Sequence, residues 1–495
     1  MNLQRHQRAR AILFACALAT LPACNALAAS AQIVSSKQGA TKFIEFVTAA
    51  LSGGTLASVQ FTVVPKPGSF TRPVSATYSA AYLSSRGYLN GPGTQVIIPV
   101  FGLYTAYTNT VNIGFTFVNG AQIPQQVSIQ VAAFSEQCNV FNNMKIVLQA
   151  RQKTSDISYD YVMMKKFCDF EGPTIIDTDG NVRWIASDRV TSHPAILYQN
   201  SIYTSNGTGV NRMSWDGTYT KVADYADIGV IDSGHHNYEP GRTGIILEVS
   251  TANSVESVDM EIDTAGNVLH TWDWVQIISN AMKAGGDNPA LFVFPTDLNW
   301  FHNNSTLYNP KDNTLIASSR ENFVIAVDYD TQQIKWILGD PTKAWYTFPS
   351  LRKYALKLAK GTNAPEGQHA LSFDANGNLL LFDDGFHSLT HTPAGGSRTY
   401  STPRAYKLSL STKSAKEVFN YEQNQTIYTT LCGSAYEDAP SNYLIDYPLA
   451  QNSAITEFIG LGTSLKQIFD FQFPATALCG TAWNALQIHM ENISY

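Results

Sequence analysis

Charge is scarce in this chain: Asp, Glu, Lys and Arg make up 15% of its 495 residues, against about 25% in an ordinary soluble domain. The net charge is −6, so there is no excess of basic residues to build a nucleic-acid face. No apolar run reaches the ~20 residues that a membrane span requires. Only six cysteines occur, and none are spaced C-x-x-C, which argues against zinc ribbons and dithiol redox motifs. Acids are almost missing from residues 32–134, where Glu45 stands alone against Lys37, Lys42, Lys66, Arg72 and Arg86. Apolar residues, at 44%, and aromatics, at 12%, are ample for a large core, so disorder is excluded. The abundance of Tyr, Thr, Ser and Asn suits an exported β-protein better than a cytosolic helical enzyme.

Residues 1–28 read as a signal peptide: Arg5, Arg8 and Arg10, an apolar stretch over 11–20, then Ala26-Leu27-Ala28 as a cleavage site. Leu21-Pro22-Ala23-Cys24 offers the alternative of a lipid anchor at Cys24. Beyond the leader remain Cys138, Cys168, Cys432 and Cys479. An even number in an exported chain suggests disulfides; nearest-neighbour pairing gives 138–168 and 432–479, one of three connectivities.

The shift in acid content marks a domain boundary near 135. Before it, segments 57–64, 95–101, 109–117 and 126–132 alternate or run apolar and are separated by Gly, Pro and Asn turns, which predicts a β-sandwich over 30–135. Beyond it a phrase recurs: IDTDGNVRW at 176–184, IDTAGNVLHTW at 262–272 and VDYDTQQIKW at 327–336, with weaker copies at 214–217 and 373–378. Each full copy reads strand, tight turn, strand ending in an aromatic. Repeated hairpins over 136–495 predict a β-propeller of six blades, with seven the alternative. The fold class is therefore all-β, and the helical segments expected are 276–285 and 350–360.

Chemistry-bearing residues fall at strand edges in this frame. His302 and Asn304 are expected on one strand face by period two, and Arg320 at the end of the next strand. His235-His236 precedes the strand after Pro240, and His369 precedes an apolar strand. In a propeller, such positions can converge on the central channel.

The run from Trp300 to Asp340 resembles the bacterial arylsulfate sulfotransferase family, whose W-x-H-x-N and S-x-R spacing is matched by Trp300, His302, Asn304, Ser318 and Arg320. Gln368-His369, His235-His236 and IPVFGLY at 98–104 match further parts. Asn237 departs from the pattern, in which an acid follows the two histidines. The resemblance implies a periplasmic homodimer that passes a sulfuryl group from an aryl sulfate donor to a phenolic acceptor, without cofactor or metal. It implies His369 as the nucleophile, Arg320 gripping sulfonyl oxygens, Asn304 and His302 donating to the rest, and His236 or His302 handling the proton. His235 is read as shaping the turn, and Arg404 as a weaker sulfate contact. Phe101, Tyr104 and Tyr107 are expected to pack the sandwich or to line an acceptor pocket. The competing readings are a metal site built on the three histidines and a ligand-binding propeller without catalysis. A sulfatase of the common type is excluded, because no cysteine stands in a C-x-P-x-R context.

Overall fold

The computed structural model describes residues 28–136, 138–148, 157–165, 172–186, 194–294, 297–476 and 478–495. The leader before Ala28, with Cys16 and Cys24, lies outside the described residues, as do Cys168 and His193. The fold is all-β: a sandwich followed by a six-bladed propeller. One sheet of the sandwich contains Ser30–Gln38, Ile44–Ser52 and Gln95–Phe101. The other contains Val74–Ser79, Leu56–Val63, Tyr107–Phe117 and Gln122–Val131. Along Tyr107–Phe117, Asn109, Val111, Ile113, Phe115 and Phe117 are buried at every second position, the period of a half-buried strand. Tyr78 closes the sandwich by donating its hydroxyl proton across it to the Pro99 carbonyl at 2.7 Å. Three of the sandwich strands, Ser30–Gln38, Ile44–Ser52 and Val74–Ser79, lie outside the segments expected from sequence. The last strand of the chain, Ile493–Ser494, returns to pair with Val74–Ser79.

Among the described residues, six sheets of at least four strands make the blades, antiparallel except for one short edge strand of blade five. Blade one carries Tyr161–Met164, Thr174–Asp177 and Val182–Ile185, and takes its innermost strand, Ala485–Ile488, from the far end of the chain. That pairing closes the ring. The inner strands of the next five blades are Ala195–Tyr198, an interrupted strand (Val230–Asp232 and Tyr238–Pro240), Asn303–Asn309, His369–Phe373 and Ser434–Ala439. Separate hydrophobic cores lie between successive blades; Ile316, Val324, Leu371 and Leu381, for example, join blades four and five.

The repeated phrase is the outer hairpin of blades one, three and four. Asp177 and Asp263 each accept backbone N–H groups across the turn, from Asn181 at 2.8 Å and Asn267 at 2.9 Å, and the turn glycines Gly180 and Gly266 have φ of 85° and 90°, which glycine adopts without a Cβ clash. The closing aromatics join neighbouring blades: Trp184 Nε1 donates to the Trp215 carbonyl at 3.2 Å, and Trp272 Nε1 to the Tyr329 carbonyl at 3.1 Å.

The expected helix at 276–285 forms as Trp274–Ala284, capped by Asp273 and buried along Trp274, Ile277, Ile278 and Met282. The second, at 350–360, shrinks to the single turn Pro349–Arg352. Past it the backbone is drawn into pairing instead, Lys357–Leu358 running parallel to Ser414 and Ala415. Phe101 stacks on Trp215 with ring centroids 5.2 Å apart, and the Arg183 guanidinium lies 3.7 Å from the Tyr104 ring while donating to the Gly102 carbonyl. Phe101 and Tyr104 thus seat the sandwich on blades one and two.

Candidate active site

A cavity of about 260 Å³ is lined by His235, His236, His302, Arg320, His369, Leu431, Cys432, Leu478, Cys479 and Trp483. Four blades and the closing segment supply these residues. His235 and His236 occupy the interruption in the inner strand of blade three. Here Glu248 accepts the backbone N–H of His236 at 3.1 Å and of Asn237 at 3.0 Å. Asn237, where an acid was expected, donates to the Asn304 carbonyl at 2.9 Å and accepts from Lys165 Nζ at 2.7 Å. An amide can do both, whereas an ionised carboxylate only accepts.

His302 precedes the inner strand of blade four with φ of 50°, a backbone conformation that costs a non-glycine residue of order 1 kcal/mol. The neighbouring turn fixes it: Arg320 N–H donates to the His302 carbonyl at 3.1 Å, and Asn322 Nδ2 to the Trp300 carbonyl at 3.0 Å. This conformation, with a bulge between Asn303 and Thr306, breaks the expected alternation. His302 lines the cavity, but Asn304 turns toward blade five and donates Nδ2 to the Gln368 carbonyl at 2.9 Å. Ser318 Oγ donates to the same carbonyl at 3.0 Å. Asn304 therefore braces the residue before His369 and is not among the cavity-lining residues.

Arg320 is buried, with 1% of its side chain exposed. Nη1 donates to Glu321 at 2.5 Å, while Nε and Nη2 have no acceptor among the described residues. Burial favours the neutral form of Glu321, yet Arg320, Ser388 and Leu389 outweigh it and hold the carboxyl below its ordinary range. His369 opens the inner strand of blade five. Its Nδ1 lies 2.8 Å from the Gly367 carbonyl and 3.2 Å from Asp384 Oδ2. A carbonyl only accepts, so Nδ1 carries the proton and Nε2 keeps its lone pair. Burial raises Asp384 to about 6, against the pull of His369 and Arg320. The imidazole centroids of His236 and His369 are 5.1 Å apart, and those of His236 and His302 5.8 Å. Burial, helped by His235, Arg320 and His369, drives His302 well below the ordinary histidine range.

His235 does more than shape the turn: it lines the cavity and meets Glu256 at 3.0 Å. Glu256, Asp384 and Trp483 were not singled out from sequence. Arg404 is engaged by Asp383, Glu417 and Glu422, away from the cavity. The nitrogens of His235, His236 and His302 lie within 4.8 Å of one another, but a cation among them would share the cavity with the Arg320 guanidinium, and a second grouping, His236, His369 and Cys432, loses its sulfur ligand to a disulfide.

That disulfide, Cys432–Cys479, is the pairing expected from sequence; its Cα atoms are 5.9 Å apart and 47 residues separate its ends. Cys138 is also disulfide-bonded, its expected partner Cys168 lying outside the described residues. Closing a loop of that length is worth about 4 kcal/mol. Replacing both Cys432 and Cys479 with serine is expected to lower the melting temperature by several degrees and to raise KM for an aryl substrate, since Leu431 and Leu478 adjoin the two sulfurs. Calorimetry and steady-state kinetics check this, and unchanged values for both would overturn it.

Among solved structures, the Cps50 (Swd1) β-propeller domain of Myceliophteria thermophila aligns with a TM-score of 0.33 and 11% identity, over 67% of this chain and 100% of that one. The arylsulfate sulfotransferase AssT of Escherichia coli O6:H1 is 24% identical over 384 residues, 61% of this chain and 58% of that protein. AssT of Lelliottia amnigena is 22% identical over 488 residues, 75% of this chain and 77% of that protein. The match thus spans less than two thirds of the Escherichia coli relative's length. Residues 48–133 match the arylsulfotransferase Ig-like domain. Residues 115–474 match the arylsulfotransferase (ASST) domain, and the chain belongs to the arylsulfotransferase family.

Proposed function

We propose that this protein transfers the sulfuryl group of an aryl sulfate to a phenol in two steps through a sulfated His369. The observation that carries the reading is the presence in one cavity of Arg320, buried with two nitrogens that have no acceptor among the described residues, and an imidazole whose Nδ1 proton is tied down. A sulfate ester placed between them has its oxygens in the guanidinium fork and its sulfur before His369 Nε2. In the first step the Nε2–S bond forms as the S–O(aryl) bond breaks, and the electron pair leaves with the phenolate. In the second, a phenol oxygen attacks sulfur, loses its proton, and the N–S bond breaks. By analogy with phosphoryl transfer, positioning and charge stabilisation dominate.

Leu431, Leu478, Trp483 and the disulfide are the apolar part of the lining, with the Trp483 ring 6.0 Å from that of His236, and suit an aromatic ring. The volume, below the ~300 Å³ at which pockets for drug-sized ligands begin, suits donor and acceptor in succession, as a two-step exchange requires. The disulfides and the leader read from sequence favour an oxidising compartment, the periplasm. A direct test is to mix the full chain with 4-nitrophenyl sulfate and phenol. Release of nitrophenol with appearance of phenyl sulfate supports the reading; nitrophenol with free sulfate alone, or no release, overturns it.

A further inference from the structure

Glu256 belongs to none of the motifs above, yet it lies between two of the cavity histidines. It sits near the start of Ser254–Ile262, the third strand of blade three, with φ of 46°, a position that turns its carboxylate inward. Its Oε1 lies 3.0 Å from His235 Nε2 and its Oε2 3.1 Å from His302 Nδ1. The other nitrogen of His235, Nδ1, is 3.0 Å from the Asn303 carbonyl and so carries a proton. Asn299 Nδ2, a donor, is 3.0 Å from His302 Nδ1 and so calls for a lone pair there. The proton of neutral His302 then resides on Nε2, the nitrogen not engaged by Glu256 or Asn299.

Resting on the transfer reading above, we infer that Glu256, backed by His235, is the proton reservoir of the reaction, and that His302 is the acid–base group that meets the substrate oxygen. In the donor half-reaction the Nε2–H bond of His302 breaks and its proton goes to the departing phenolate oxygen. The carboxyl proton of Glu256 moves to Nδ1, and Glu256 is left as a carboxylate. His302 changes tautomer without becoming an imidazolium, which suits a partly buried ring that shares the cavity with the Arg320 guanidinium. In the acceptor half-reaction every transfer reverses: the phenol proton enters at Nε2 and the Nδ1 proton returns to Glu256. Protons balance over the cycle, and no outside acid is required. Glu256 acts through His302 and is a positioning and relay residue.

Burial, then the nearby carboxyls Asp232, Asp297 and Glu321, lift Glu256 to about 7 against the hydrogen bond from Asn299, so the reservoir can be filled and emptied near neutral pH. The experiment compares the donor half-reaction of phenyl sulfate, whose phenolate needs a proton, with that of 4-nitrophenyl sulfate, whose phenolate leaves unaided. In the wild-type protein the phenyl sulfate rate is expected to fall as pH rises through about 7, with the nitrophenyl rate flat. Glu256→Gln is expected to slow phenyl sulfate about 100-fold and 4-nitrophenyl sulfate less than about 5-fold, and Glu256→Asp to restore part of the loss. Equal losses on the two donors, or identical wild-type pH profiles, overturn the relay; the wild-type comparison decides even if the variants do not fold. If neither donor sulfates His369 in the wild-type protein, the transfer reading fails instead.

Discussion

Replacing His369 with alanine is expected to lower turnover of 4-nitrophenyl sulfate by at least about 10⁴-fold, because its ring is prepared for attack. A backbone carbonyl fixes its tautomer while a carboxylate, Asp384, stands on the same nitrogen, leaving Nε2 as a lone pair against the cavity. Removing an oriented nucleophile removes the covalent route altogether. Alanine also strips Asp384, fully buried, of its partner, so a loss of fold must be separated from a loss of chemistry. His369→Asn makes that separation: its amide can still donate toward Gly367 and Asp384 but has no nucleophilic lone pair. The expected result is an asparagine variant with near-normal melting and no turnover. Mass spectrometry of the wild-type protein after donor treatment alone should show one SO₃ group on the peptide containing His369, absent from the variant. Turnover of the asparagine variant within tenfold of wild type would remove His369 from the nucleophile's role.

The sequence made the outer hairpins legible because their turns are local chemistry: an Asp that accepts its own turn's N–H groups, and a Gly or Gln at positive φ. It made the meeting of His302 with Arg320 legible because a short hairpin joins them. The face expected to be shared by His302 and Asn304 is broken for a physical reason: period two holds only while the backbone stays extended, and the left-handed residue at His302 with the adjoining bulge turns the next side chains. Asp384 could have been found. It follows the second strand of blade five, Leu379–Asp383, as Arg320 follows the second strand of blade four, Thr314–Ser319, so the two occupy equivalent places in neighbouring blades. Glu256 and Trp483 carried no such signal. Each is a single residue, and only ring closure and the folding of blade three bring them to the cavity. Of the extra sandwich strands, Ser30–Gln38 gave no signal because it is mostly exposed and lacks the alternation that marks a half-buried strand.

Arg320→Lys is expected to reduce kcat/KM by about 10²- to 10³-fold, although the charge is kept. The argument turns on geometry. In Arg320 one nitrogen, Nη1, is held by Glu321, and Glu321 is in turn held by Ser388 Oγ at 2.8 Å and by backbone N–H groups of the 388–390 loop. That anchor aims the other two nitrogens, Nε and Nη2, as a rigid fork. Lysine offers one ammonium on a flexible stem: if it bonds Glu321 it cannot also grip two sulfonyl oxygens, and if it turns to the substrate it leaves Glu321 buried without its counter-ion. Either way, charge stabilisation in the transition state falls by the amount typical of a lost oxyanion donor. Arg320→Met removes the charge and should fall further, beyond about 10³-fold, and it should also lose stability as the buried Glu321 loses its counter-ion. The two variants divide the effect: the step from arginine to lysine measures the fork, and the step from lysine to methionine measures the charge. A lysine variant at full activity would mean that Nε and Nη2 do not contact the sulfuryl group, and Arg320 would then serve only to hold Glu321 through Nη1.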